Sequence, residues 1–268
     1  MVAELTSSGA RATSFCDQAA FAYRFDWGPN GLRTLAPTVD VVVVVDVLRF
    51  TTSVSAAVES GCVVFPYRWA DEGAADYAAA HGAVLAGFRE HGGPSLSPTD
   101  LLTLDAGTRL VLPSPNGSTL AFGARQFGAR HVLAGCLRNA AVTARAALEL
   151  AEGGSIAVIA AGERWHGATG PLRPAVEDLV GAGAVLAALD PAAAATAPAC
   201  SPEAAAARAA FVAARPRLHE TLAECSSGRE LIMRGWHDDV ANCAALNVAA
   251  VAAVLQGDAF SAWPSAAS

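Results

Sequence analysis

Val41-Val42-Val43-Val44-Val45-Asp46-Val47-Leu48-Arg49-Phe50-Thr51-Thr52 is the stretch that decides how this chain folds. Five consecutive valines cannot form one face of an amphipathic helix, and branching at Cβ favours extended backbone. An uninterrupted apolar run of this length reads as a strand buried on both faces, as in a parallel sheet. Just past its end come a carboxylate, a guanidinium and two hydroxyls. Open α/β sheets bind their ligands at that carboxyl edge. The combination suggests a metal-assisted site for a phosphorylated or otherwise anionic substrate.

Working outward from this run, β-rich stretches alternate with Ala-rich helical ones between about residues 40 and 190. Strands are expected at Val41–Val45, Cys62–Pro66, Ala83–Ala86, Arg109–Leu112, His131–Ala134 and Ser155–Ala160. Helices are expected at Thr52–Glu59, Asp71–His81, Ser118–Phe127, Ala140–Ala151 and Pro174–Leu189. The rhythm predicts an α/β fold with a mainly parallel, doubly wound sheet flanked by helices. An edge strand at Phe21–Trp27 and a short helix at Gly31–Leu35 precede it. Residues 1–190 are therefore read as the sheet region and 191–201 as an Ala/Pro-rich connector. Residues 202–268 are read as a helical C-terminal region packing on the same body. Within that region helices are expected at Pro202–Ala214, Pro216–Cys225, Gly228–Gly235 and Asp238–Leu255, with a loose tail from Phe260.

Composition narrows the function classes. The chain has 268 residues, enough to bury a large core. Its net charge is −7 and it has no arginine-rich stripe, which disfavours nucleic acid. No long strongly apolar run marks a membrane span, and the first twenty residues lack the apolar core of a signal peptide. The 6 cysteines form no CxxC pair and read as reduced, buried thiols, so a cytoplasmic location is expected. All 18 basic residues are arginines. Schiff-base and P-loop lysine chemistry is thereby excluded, and anions must be held by arginine, backbone N–H groups or metal. Walker A, GxGxxG, GxSxG and HExxH patterns are absent.

Several strand ends carry polar groups. Asp46 either caps the following helix and pairs with Arg49, or faces a ligand crevice; Thr51 and Thr52 at the helix start favour anion binding. Ser114-Pro115-Asn116-Gly117-Ser118-Thr119 is either an ordinary turn and cap or a second anion nest at the same edge. Asn139 repeats that position, with helix capping as the default role. Ala161-Gly162-Glu163-Arg164 closes another strand. Glu177 and Asp178 are adjacent on a helix and point about 100° apart, so a solvated pair is the commoner outcome. If one points inward it can join Asp46 around Mg²⁺. Asp238 or Asp239 can cap the last helix, and His237 is a weak candidate for proton transfer.

In this order, the blocks resemble the 2-phosphosulfolactate phosphatase family, the ComB-like proteins of coenzyme M biosynthesis. The resemblance is carried by Asp46 to Thr52, Leu85-Ala86-Gly87-Phe88-Arg89, Leu96-Ser97-Pro98 and Asn116-Gly117-Ser118. Further along it rests on Asn139-Ala140, Ala161-Gly162, Glu177-Asp178, Ala182-Gly183, Gly235 and Asp239. It implies Mg²⁺-dependent hydrolysis of a phosphate monoester on a small sulfonated hydroxy acid. On that reading Asp46, Arg49 and Glu177 are catalytic, and Asp46 with Glu177 or Asp178 holds Mg²⁺. Thr51, Thr52, Arg89, Asn116, Gly117, Ser118, Asn139 and Asp239 bind substrate, Asp239 from the rim. The implied partner is a small anionic phosphorylated substrate, without nucleic acid or membrane; a homodimer is compatible with it. Three blocks depart from the family: Phe88 replaces an acid, Leu96-Ser97-Pro98 is a reduced Gly-Asn-Ser-Pro block, and Pro115 removes a backbone N–H. The alternative they motivate is a catalytically impaired member that binds a small anionic metabolite.

Overall fold

The computed structural model describes residues 15–68, 72–89, 92–165, 170–190 and 199–263. The valine run is a strand, as its branching and continuity dictate, and the elements around it follow the expected alternation. The first strands are β1 (Tyr23–Trp27), β2 (Val41–Val45), β3 (Val63–Tyr67), β4 (Val84–Leu85) and β5 (Arg109–Pro113). They are followed by β6 (His131–Gly135), β7 (Ile156–Ala160) and a small flap of β8 (Glu163–Arg164) with β9 (Leu172–Arg173). The last strands are β10 (Ala252–Gln256) and β11 (Ala259–Trp263). Helices α1 (Gly28–Leu35), α2 (Phe50–Glu59), α3 (Glu72–Ala80), α4 (Pro98–Leu101), α5 (Gly117–Gln126) and α6 (Ala140–Ala151) lie between strands. Helix α7 (Val176–Leu189) closes the sheet region, and the helical C-terminal region comprises α8 (Pro202–Ala214), α9 (Leu218–Glu224), α10 (Ser226–Met233) and α11 (His237–Ala244).

Among the described residues, nine strands make one sheet in the order β1-β7-β2-β6-β10-β11-β3-β5-β4. Every pairing is parallel except those made by β10 and β11. All five valines of β2 are fully buried. Alternation splits them between two cores: Val41, Val43 and Val45 pack with residues of α6 and α7, whereas Val42 and Val44 pack with α1 and α5. Burial of each valine contributes roughly 1.5–3 kcal/mol as an upper estimate. With helices on both faces, the loops at the carboxyl ends of β2, β5 and β7 are left to form the site.

The end of the chain differs from expectation. The helix expected over Asp238–Leu255 stops at Ala244, and the segment expected to be loose from Phe260 is β11. The alanine- and valine-rich composition of Ala249–Leu255 suits a buried helix as well as a buried strand. Long-range pairing decides: β10 joins β6 through Ala253 and Val254, while β11 joins β3 through Phe260. Gly257, at φ +58°, makes the tight turn between them, and Phe260 is fully buried. Upstream, Asn247 at φ +54° breaks the helical path, and its N–H donates to the Leu137 carbonyl. Most of the connector expected at 191–201 lies outside the described residues. Its end runs beside β1, where Tyr23 N–H donates to the Ala199 carbonyl and Ser201 N–H to the Tyr23 carbonyl.

Among the described residues no helix is long and apolar enough to cross a membrane. Cys16 is exposed and the other five cysteines are free and buried.

Candidate active site

Asp46 follows β2 directly and is buried. Its Oδ1 accepts from Phe50 N–H at 3.2 Å and its Oδ2 from Gly117 N–H at 2.9 Å, so one carboxylate joins the β2–α2 and β5–α5 loops. Gly117 is required for this approach. A Cβ there would lie 2.2 Å from the Phe50 ring and 2.8 Å from Asp46 Oδ2. The Thr51 hydroxyl donates to the Asp46 carbonyl at 2.8 Å and accepts from its N–H at 2.9 Å. The Thr52 hydroxyl donates to the Val47 carbonyl at 2.8 Å. Both threonines are fully buried and brace the turn that presents Asp46.

Glu177 and Asp178 open α7, and neither is solvated, contrary to the commoner expectation for adjacent acids. The reason is local. Asp178 Oδ1 accepts from Val47 N–H at 2.7 Å and Oδ2 from Gly162 N–H at 2.8 Å, fastening the loops after β2 and β7 together. Glu177 lies beside the Cys225 thiol, whose pKa is pushed up to about 12 by burial and then by the Glu177 charge. Glu163, on β8, was not singled out from sequence. The structure sets it near Asp46 and Glu177, with its Oε2 accepting from Asn116 Nδ2 at 3.2 Å. Its position just after a buried strand, like that of Asp46, was the available signal.

These acids share a poorly solvated space. Burial, then the charge of Glu163 and that of Glu177, raise Asp46 from 3.8 to about 7 against two opposing backbone hydrogen bonds. Asp178 is raised well above its ordinary value by burial, then by Asp46 and Glu177. Glu163 is raised chiefly by burial, with Glu177 adding to it and Asn116 and Arg173 opposing. Such mutual repulsion favours either a bound proton or a bound cation. Hard carboxylate oxygens suit Mg²⁺, which keeps several waters and takes one or two carboxylates together with phosphate oxygens. Among the described residues no group of three or more His, Cys, Asp or Glu side chains converges as a ready-made cage. The carboxylates of Asp46 and Glu163 are hard oxygen donors of the kind that Mg²⁺ takes one or two at a time.

The second pole is cationic. Asp239, expected at the rim, is completely buried in the first turn of α11. Its Oδ2 pairs with Arg49 Nη1 at 2.5 Å and Arg89 Nη1 at 3.5 Å. Its Oδ1 accepts from the hydroxyls of Ser97 at 2.5 Å and Thr99 at 2.9 Å. Asp239 thus serves as a base on which two guanidinium groups are set. Arg89 also pairs with Asp100 at 3.3 Å, and the Arg49 guanidinium lies 4.5 Å over the Trp236 ring. A bidentate-capable fork held on two sides is well suited to anionic oxygens.

A cavity of about 540 Å³ opens between the sheet edge and α10. Arg49, Arg89, Glu163, Arg234 and Trp236 line it, together with apolar side chains that include Phe88. Of the acid cluster, Glu163 is the member on the wall, while Asp46, Glu177 and Asp178 lie outside the lining. Other expected residues serve the frame. The Asn139 amide is used within its own turn, accepting from Cys136 N–H and donating to the Ala134 carbonyl, each at 2.9 Å. Ser118 is fully buried, with its hydroxyl 3.4 Å from the Leu112 carbonyl. His237 is exposed.

Comparison with known proteins identifies the family. A family model described as 2-phosphosulpholactate phosphatase matches residues 30–258. A curated relative from Thermus thermophilus, named probable 2-phosphosulfolactate phosphatase, is 35% identical over 151 residues. The aligned part is 54% of this chain, and the chain spans 59% of that relative's length.

Proposed function

The chain belongs to the 2-phosphosulpholactate phosphatase family, and on that premise we propose that it is a Mg²⁺-dependent phosphatase acting on the phosphate monoester of a small polyanionic hydroxy acid, 2-phosphosulfolactate-like. The observation that carries this reading is the meeting of two opposite poles at one cavity: a buried acid cluster reaching the wall at Glu163, and two arginines seated on Asp239.

Asp46 and Glu163, close enough for the Glu163 charge to act on Asp46, would hold the metal, since a carboxylate oxygen that accepts one N–H keeps a second lone pair. Asp178 fastens the β2 and β7 loops together. Bound Mg²⁺ would supply charge neutralisation and polarise the phosphoryl oxygens. The chain's own residues do the rest. Arg49 and Arg89 bind and orient anionic oxygens, and Asp239 keeps their guanidinium groups in place. Thr51, Thr52, Gly117 and Asp178 hold Asp46 against the end of β2. Apolar side chains on the wall exclude water, which strengthens each of these electrostatic contacts.

Inorganic phosphate release from a panel of phosphorylated hydroxy acids, with Mg²⁺ and with chelator, tests the reading. Turnover of 2-phosphosulfolactate that depends on Mg²⁺ supports it; no turnover of any member would reject it. Phe88 on the wall, in place of the family's acid, favours a second reading in which the chain binds such a metabolite without hydrolysing it. Saturable binding without phosphate release is the outcome that would select that reading.

A further inference from the structure

Arg234 has no part in the acid cluster or in the Asp239 assembly, yet it lines the same cavity. It follows α10 and sits beside Trp236, with its guanidinium carbon 5.4 Å from the centre of that ring. The Arg49 guanidinium carbon is 4.5 Å from the centre of the same ring. One indole therefore spaces two cationic groups along the cavity wall, and one of them is anchored on a fully buried aspartate. The other is free to change partners. Arg234 pairs with Glu230 at 2.8 Å one turn earlier, but these side chains are 55% and 64% exposed. An exposed i,i+4 pair is weak and is readily exchanged for a better anion.

We propose that Arg234, spaced from Arg49 by Trp236, is the clamp for an acidic group of the ligand remote from its phosphoester, and so selects sulfonated over hydroxylated substrates. The inference rests on the reading of the cavity as a phosphoester site and adds a specificity residue to it. Arg49 and Arg89 share a single carboxylate base and form one anion-binding unit. A ligand with phosphate, carboxylate and sulfonate needs a further cationic partner beyond that unit and the metal pole. Arg234 is the further guanidinium on the cavity wall. Guanidinium stacks on an aromatic face without losing its in-plane N–H donors, so contact with Trp236 leaves the Arg234 fork available to sulfonate oxygens. Glu230 holds the fork near this position until ligand arrives.

Two ligands that differ at one carbon provide the test. 2-Phosphosulfolactate carries a sulfonate where 2-phosphoglycerate carries a hydroxyl. Calorimetric binding of each to the full chain in Mg²⁺ should show Arg234→Gln weakening the sulfonated ligand by about tenfold, the value of one exposed charge-assisted contact. The same variant should change 2-phosphoglycerate less than about twofold. Glu230→Gln removes the competing carboxylate and should tighten 2-phosphosulfolactate while leaving 2-phosphoglycerate nearly unchanged. Equal loss for both ligands, or no loss for either, overturns the assignment of Arg234. Failure of the wild-type chain to bind either ligand overturns the phosphoester reading and this inference together. Selective binding without phosphate release rejects the phosphatase activity alone and leaves the clamp standing.

Discussion

Without metal, the protein should lose stability as pH rises from about 4 to 7, because Asp46 is raised in the folded state. Its carboxyl goes from 3.8 to about 7, a rise of about three units. The sign follows from proton binding. Between those values the native state keeps a proton that the unfolded chain has released, so unfolding is progressively favoured as protons become scarce. The stability associated with protonated Asp46 is fully present below pH 4 and is lost as pH passes through about 7. At 1.36 kcal/mol per unit the loss is about 4 kcal/mol, a large share of the 5–15 kcal/mol typical of a folded domain. Glu163 and Asp178 are raised by the same burial and repulsion and act in the same direction. Urea unfolding in chelator at pH 5, 6, 7 and 8 measures the slope. Asp46→Asn should flatten it by about 2.5–3 kcal/mol between pH 5 and pH 8, the part of the full change that falls in this range. The variant should also cost about 1–2 kcal/mol at pH 5, because the amide's NH₂ group would face one of the two N–H donors now bound to Asp46. Stability that stays level or rises over this range in the wild-type chain would refute the reasoning, as would an unchanged slope in Asp46→Asn.

Three further outcomes follow from the same geometry. Mg²⁺ must displace the Asp46 proton, so its apparent affinity should weaken about tenfold from pH 8 to pH 6, with proton release measurable by calorimetry in buffers of different ionisation enthalpy. Asp239→Ala removes the buried base beneath Arg49 and Arg89 and should cost about 3–5 kcal/mol in thermal or urea unfolding, together with most of the affinity for phosphate. Gly117→Ala forces a methyl group against Phe50 and Asp46 Oδ2; it should destabilise by about 1–3 kcal/mol and lower phosphate release more than a matched Gly123→Ala control.

Much of the frame was legible because local signals agreed. The valine run could only be a doubly buried strand, and the residues after it had to lie at the carboxyl edge of the sheet. Asp46 and Arg49 follow from that placement, whereas Arg89 was reached only through the family resemblance. What escaped depended on partners distant in sequence. The β10–β11 hairpin has helix-like composition, and only the vacancy between β6 and β3 makes it sheet; Gly257-Asp258 was the one local hint of its turn. Burial of Glu177 and Asp178 depends on N–H groups from the β2 and β7 loops, which adjacent carboxylates on a helix do not reveal. Asp239 looked like a helix cap, because nothing near it shows that Ser97, Thr99, Arg49 and Arg89 converge there. Asn139 and Thr52 had the right chemistry at the right sheet edge, but their polar atoms are used by the turns that hold that edge together.

The most direct measurement is phosphate release from 2-phosphosulfolactate by the wild-type chain and by Asp46→Asn, each with saturating Mg²⁺ and with chelator. The wild-type chain should release phosphate only with Mg²⁺, and Asp46→Asn should be at least about a hundredfold slower under the same conditions, with the reacting phosphoryl group no longer supported at that pole. Undiminished release in chelator, or a variant that keeps most of the wild-type rate, would contradict the assignment of Asp46 to the metal site.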